Sequence, residues 1–193
     1  MSMIFNSSKL YLKPIVFGTF LLSVGLYTAS RLKAEPLPTA NKMQLDQYLG
    51  TWYEIARKPL YFQKKCDHNV TATYSLNDRG NIQVDNRCYT KTGVLKQAIG
   101  EAFVKNPPKN TQLKVSFLPK IIRWLPIGRG DYWILKIDPN YETVLVGGPN
   151  LKQLWVLSRS QQPDEAVIQD YLNYAATLGY DLSDLIHTQH IAK

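Results

Sequence analysis

From Leu45 onward the chain consists of short apolar runs broken at close intervals by turn residues, and this spacing constrains the fold more than any other feature. Short runs rich in β-branched and aromatic side chains, bounded by Gly, Pro, Asn and Asp, form strands joined by tight connections. Eight such strands are predicted: Trp52–Lys58, Val70–Leu76, Ile82–Tyr89, Gln97–Lys105, Gln112–Phe117, Tyr132–Ile137, Thr143–Val146 and Leu154–Ser158. The segments 77–80, 106–109, 138–140 and 147–150 carry the Asn, Asp, Pro and Gly residues that tight turns require. Alternation is clear in the third strand, with Ile82, Val84 and Asn86 on one face and Gln83, Asp85 and Arg87 on the other. It returns in the fifth, where Leu113, Val115 and Phe117 oppose Lys114 and Ser116. Eight antiparallel strands with one apolar face either stack as two sheets or close into a barrel, and strand count alone leaves both open.

One helix follows the strands. Val167, Ile168, Tyr171, Leu172, Ala175 and Leu178 form a single apolar stripe, Asp164 and Glu165 suit the positive end of the dipole, and Gly179 stops it. The 193 residues, 45% hydrophobic, suffice for one globular domain with a real core. The net charge of +8 does not indicate a nucleic-acid binder. Four basic residues precede the first acid, Glu35, leaving 19 basic against 15 acidic groups, and no basic run or nucleic-acid module accompanies them.

Residues 1–34 read as a signal peptide or an N-terminal membrane anchor. A basic start leads into sixteen mostly apolar residues from Pro14 to Ala29, short of the roughly 20 that span a bilayer. No Cys precedes Cys66, so no lipid-modified Cys follows this segment. Residues 35–44 read as a linker and 45–193 as the domain. Beyond an export signal, Cys66 and Cys88 are expected to form one bridge, two separate thiols being the alternative.

Catalytic and metal chemistry find little support. His68, His187 and His190 lack metal-ligand spacing, and no nucleophile elbow, phosphate loop or CxxC occurs. Glu54 and Glu101 are the one carboxylate pair worth weighing for hydrolysis. No cofactor and no metal is expected. The segment 118–129 is too apolar for an ordinary exposed loop, yet its prolines argue against a central strand. Either Ile121, Ile122, Trp124 and Leu125 fold inward as a lid, or the loop settles on a membrane surface.

Three ordered motifs carry a family resemblance. Gly50-Thr-Trp52-Tyr-Glu-Ile-Ala-Arg57, Asp138-Pro-Asn-Tyr141 and Leu154-Trp-Val-Leu-Ser-Arg159 resemble the lipocalin signatures, and the match covers roughly residues 43–190. Phrases such as Ala72-Thr-Tyr-Ser-Leu76, Val84-Asp-Asn-Arg87 and Asp131-Tyr-Trp-Ile-Leu135 resemble the bacterial lipocalin branch, itself similar to apolipoprotein D and the plant temperature-induced lipocalins. The resemblance implies an all-β, eight-stranded antiparallel up-and-down barrel with the C-terminal helix packed outside. Gly50, Trp52 and Arg159 become structural, the indole plugging the narrow end beneath the guanidinium.

Tyr74, Asn86 and Trp133 match pocket-lining positions of the relatives, and strand alternation adds Ala72, Val84, Val115, Phe117 and Leu135. The loops expected at the open end carry Lys58, Lys64, Lys65, Lys91, Lys120, Arg123, Arg129 and Lys152, which suits a ligand with an anionic head. What the resemblance implies is a non-enzymatic carrier of a fatty acid or lysophospholipid that serves the cell envelope. It would be free in the periplasm or membrane-associated, with a homodimer possible and no nucleic-acid partner. An outer-membrane position rests on an acylated Cys in many relatives, and this chain lacks it. The alternatives are a tethered interaction protein with an incidental cavity, or a carrier of another small apolar ligand such as haem.

Overall fold

The computed structural model describes residues 37–191, so the signal or anchor segment lies outside the described residues. A one-turn helix α1 (Leu45–Tyr48) leads into β1 (Gly50–Arg57), and a 3-10 turn at Tyr61–Gln63 precedes β2 (His68–Leu76). The strands continue as β3 (Ile82–Tyr89), β4 (Leu95–Val104), β5 (Gln112–Ser116), β6 (Gly130–Ile137), β7 (Thr143–Gly147) and β8 (Leu154–Ser158). Helix α2 (Glu165–Thr177) and a two-residue strand β9 (Ile186–His187) complete the chain. All eight predicted strands are present, each with bounds close to those read from the sequence; β9 carried no recognisable pattern.

Strand β1 decides between sandwich and barrel. Its first half, Gly50–Tyr53, pairs antiparallel with β2, while Tyr53–Arg57 pairs with β8, so the sheet β2-β3-β4-β5-β6-β7-β8-β1 closes on itself. Where β1 and β2 part, β9 fills the seam: Ala56 and Arg57 pair with His187 and Ile186, and His68 bridges Gln189.

Period-two alternation then sorts the side chains. Trp52, Tyr74, Ile82, Val84, Ala102, Leu113, Ile134, Val144, Val146 and Leu157 form the inner cluster. Ala56, Leu135, Leu145, Leu154 and Val156 form the outer one with Ile168, Tyr171, Leu172 and Ala175 of α2. The helix therefore lies outside the barrel, with Asp164 capping it through a hydrogen bond from the Ala166 N–H. Gly147 has a packing reason. A Cβ there would sit 2.1 Å from the Tyr180 hydroxyl, which bonds the Gly148 backbone and fixes the chain after α2.

Two expectations change. Trp133 and Leu135 pack in the outer cluster against α2, not in the interior. With α2 covering the outer face, β6 is apolar on both sides, so hydrophobicity gave no phase; Tyr132 and Ile134 are the residues that face inward. The described part of the expected linker is also part of the wall. Ala40 donates its N–H to Ile134 and Met43 to Lys109, Met43 is fully buried, and Leu37 packs against the outer cluster.

Candidate ligand-binding site

The narrow end is sealed from the motif residues upward. Trp52 is fully buried, and its indole N–H donates to the Tyr48 carbonyl at 2.8 Å. The Arg159 guanidinium lies 3.9 Å from the Trp52 ring centroid and donates to the carbonyls of Gln47, Leu49 and Thr51. One charged side chain thus packs on the plug and satisfies the carbonyls leading into β1.

Above the plug lies a polar floor that sequence reading missed. The Tyr132 hydroxyl is 2.6 Å from that of Tyr48 and 2.7 Å from that of Tyr74. Burial pushes all three phenols up, Tyr74 to about 12 and the other two well above their ordinary value, so the floor is neutral. Mutual hydrogen bonding offsets the cost of burying three hydroxyls.

The upper walls are different. Ala72, Asn86 and Ala98 stand side by side on β2, β3 and β4, in phase with inward-facing Tyr74, Val84 and Ala102. Val115 is opposite Ala102. The deeper residues are buried, yet Ala72, Asn86, Val115 and above all Ala98 keep accessible surface. The inner face is therefore packed in its lower half and keeps accessible surface in its upper half. Phe117 lies over Gly100, where an added Cβ would be 2.7 Å from the ring, and it stays half exposed at the rim. Asn86 Oδ1 is buried without a hydrogen-bond partner among the described residues. Tyr74, Asn86, Ala72, Val84 and Val115 are thus brought to one interior, with Phe117 at its edge.

The turn after β1 crosses the mouth. Gln63 donates to Glu54 at 2.8 Å and accepts from the Trp155 indole at 2.9 Å, and Leu60 is buried beneath the turn. Glu54 also takes hydrogen bonds from Arg57 at 2.7 Å and Thr188 at 2.6 Å, linking β1 to the C-terminal segment. The Cys66–Cys88 disulfide, with Cα atoms 5.5 Å apart, ties the far end of the turn to β3. Strict hairpin pairing would carry Cys66 past Cys88; a register shift between His68 and Thr71, with Asn69 at φ 51°, brings it back.

Glu54 and Glu101 do not face one another. Glu101 sits at the narrow end with Asn77, Asn81 and Arg79, whose hydrogen bonds and charge outweigh burial and hold its carboxyl below the usual range. His68, the residue considered for haem, pairs with Asp67 and stacks on Tyr89.

The segment after β5 does not fold inward. Ile121 is 82% and Trp124 65% exposed, Ile122 is exposed, and Leu125 is only half buried. Arg123 donates to the carbonyls of Leu118 and Ile99, and Arg129 stacks on Phe103 and donates to Trp124. Two arginines therefore shape the loop from within while its apolar side chains face solvent. Tyr61, Phe62 and Val94 in the other connections at this end, and Leu95 at the start of β4, are exposed as well. Of the expected basic rim, Lys58 is engaged with Asp184 and the two arginines with backbone carbonyls.

Closed barrel, outer helix, indole plug and overlying arginine agree with a match of residues 43–190 to the Lipocalin-like domain. The chain belongs to the lipocalin family. It is 38% identical to temperature-induced lipocalin-1 of Arabidopsis thaliana over 150 residues, covering 76% of this chain and 78% of that one. It is 34% identical to the outer membrane lipoprotein Blc of Escherichia coli K12 over 179 residues, covering 92% and 97%. Insecticyanin from the tobacco hornworm Manduca sexta superposes with a TM-score of 0.62 at 20% identity, over 82% of this chain and 86% of that one, which speaks for the fold alone. Lipocalins bind small hydrophobic ligands and are generally non-enzymatic.

Proposed function

We propose that this lipocalin carries a single-chain lipid, a fatty acid or lysophospholipid, within the cell envelope. The observation that carries the reading is the accessible upper interior around Ala72, Asn86, Ala98 and Val115 above a floor of neutral tyrosines. An apolar lining with a few placed polar groups is the usual form of a small-molecule site. Asn86 Oδ1 supplies an acceptor that a donor on the ligand would satisfy. The similarity to a bacterial outer membrane lipoprotein supports an exported protein, and the apolar open end supports exchange of the ligand at a membrane surface.

Native mass spectrometry of the purified protein, followed by lipid extraction, tests the reading. It should show one bound lipid per chain in the mass range of fatty acids or lysophospholipids. Protein that stays empty after exposure to envelope lipid extract would favour an incidental cavity and a protein partner instead.

A further inference from the structure

A cleft of about 660 Å³ opens at the flank of the mouth, between the turn after β1, the start of β2 and β9. Its size is within the roughly 300–1,000 Å³ of sites that take small molecules. Three cations line it: Arg57, Lys64 and Lys91. Arg57 is its fixed element, only 3% exposed, with Nη1 on Glu54 and Thr188, Nη2 on the Cys66 carbonyl, and a buried Nε that has no partner. Glu54 balances that guanidinium and is itself saturated by Gln63 and Thr188. The acid that lines the cleft, Asp67, lies 3.1 Å from His68 Nδ1. Lys64 rests over the Tyr61 ring at 4.8 Å, and neither it nor Lys91 takes part in an ion pair among the described residues. Two ammonium groups thus flank the cleft without an ion-pair partner among the described residues, and Asp67 is the one carboxylate in its lining.

Leu60, Tyr61 and Ile186 give the same cleft apolar surface. Arg57 is the register partner of Trp155, whose ring packs on the inner cluster, so one wall residue of the cleft stands beside a residue of the barrel interior. A cationic wall beside an apolar one matches an amphiphile at the junction of head and chain. We infer that this cleft receives the carboxylate or phosphate head of the ligand, with Lys64 and Lys91 closing on it while the chain runs toward the interior. The inference rests on the carrier reading above. It assigns the head to one flank of the mouth and not to the whole basic rim. Lys ammonium groups act as compact point charges, so either anion is accommodated.

The test is calorimetric titration of the full chain and of Lys64→Gln/Lys91→Gln with oleate, oleoyl lysophosphatidic acid, oleyl alcohol and inorganic phosphate. Both lysines are exposed, so the fold should be unaffected, and equal melting temperatures would establish this. The parent should bind the two anionic amphiphiles about tenfold more tightly than the alcohol, or ~1.4 kcal/mol. The double variant should lose that preference while its affinity for the alcohol stays unchanged. A preference that survives in the double variant overturns the assignment, as does equal binding of all three amphiphiles by the parent. Lysine-dependent binding of inorganic phosphate without any preference among amphiphiles would make the cleft a free-anion site and overturn the headgroup. If no amphiphile binds the parent, alcohol included, the carrier reading fails and takes this one with it.

Discussion

The Trp155 indole N–H donates to Gln63, and Gln63 in turn donates to Glu54, so a single glutamine fastens the turn after β1 across the barrel mouth. Gln63→Ala removes both bonds and leaves a buried carboxylate oxygen and an indole N–H short of a partner. Stability should fall by about 1–3 kcal/mol. Ligand association, followed by stopped-flow quenching of tryptophan fluorescence, should become faster because the turn opens more readily. An unchanged association rate would mean that the ligand enters elsewhere. Trp155 should report the ligand, whereas Trp133, packed on the outer cluster, should not.

Arg159→Ala should destabilise the barrel without touching the ligand. It removes the stacking on Trp52, worth about 0.5–2 kcal/mol, and orphans the carbonyls of Gln47, Leu49 and Thr51. Urea titration should show the loss, with Arg159→Lys recovering only part of it because an ammonium cannot span the same carbonyls. Lost ligand affinity with unaltered stability would place the narrow end wrongly.

The disulfide joins residues 22 apart, and closing a loop of that size is worth about 3 kcal/mol. Cys66→Ser/Cys88→Ser should lose roughly that amount in chemical denaturation. Hydrogen exchange should rise first in residues 58–67, because the turn then keeps only its hydrogen bonds, those of Gln63 and of the Arg57 guanidinium to the Cys66 carbonyl among them. Uniform loosening of the barrel would show that the bridge supports the whole wall instead.

The tyrosine floor predicts an alkaline limit. A phenol whose pKa is raised on folding binds its proton more tightly in the folded state. Its contribution is fully present below the unfolded value near 10 and is lost as pH rises through the folded value, about 12 for Tyr74. Stability should therefore decline between about pH 10 and 12, with a cooperative rise in phenolate absorbance at unfolding. Tyr132→Phe breaks both hydroxyl contacts and should shift that onset.

Much of this architecture was legible in the sequence because the signals were local. Alternation in β3 and turn residues between strands depend on near neighbours, and so the strands emerged with bounds close to those observed. The Cys66–Cys88 bridge followed from having two cysteines in a chain whose first residues read as an export signal or anchor. What escaped was set by distant partners. The phase of β6 depends on the outer cluster around Trp133 and Leu135, which α2 and Tyr180 complete from later in the chain. The tyrosine floor unites Tyr48, Tyr74 and Tyr132 across three elements, with no shared motif. Strand β9 has two residues and no pattern; its place is fixed by Thr188 reaching Glu54 and Arg57.

The open end is proposed to dock on an anionic membrane through the loop after β5, a prediction that separates loop chemistry from the N-terminal segment. Ile121, Trp124 and Ile127 are between 60% and 82% exposed, and Arg123 and Arg129 fix the backbone that presents them. Tyr61, Phe62, Val94 and Leu95 extend the apolar surface, and Lys64, Lys65, Lys91 and Lys120 stand among them. Side chains of this mix settle at a lipid interface, each nearby Lys or Arg adding about 1 kcal/mol on anionic headgroups and less in salt. Protein lacking residues 1–34 should therefore co-sediment with phosphatidylglycerol vesicles at low salt and much less at high salt. Trp124→Ala/Ile121→Ser should abolish sedimentation while leaving the melting temperature unchanged, since both side chains face solvent. If the parent stays in the supernatant at low salt, the exposed loop has another partner. If the double variant sediments as well as the parent, the lysines alone hold the protein at the surface and the apolar rim plays no part.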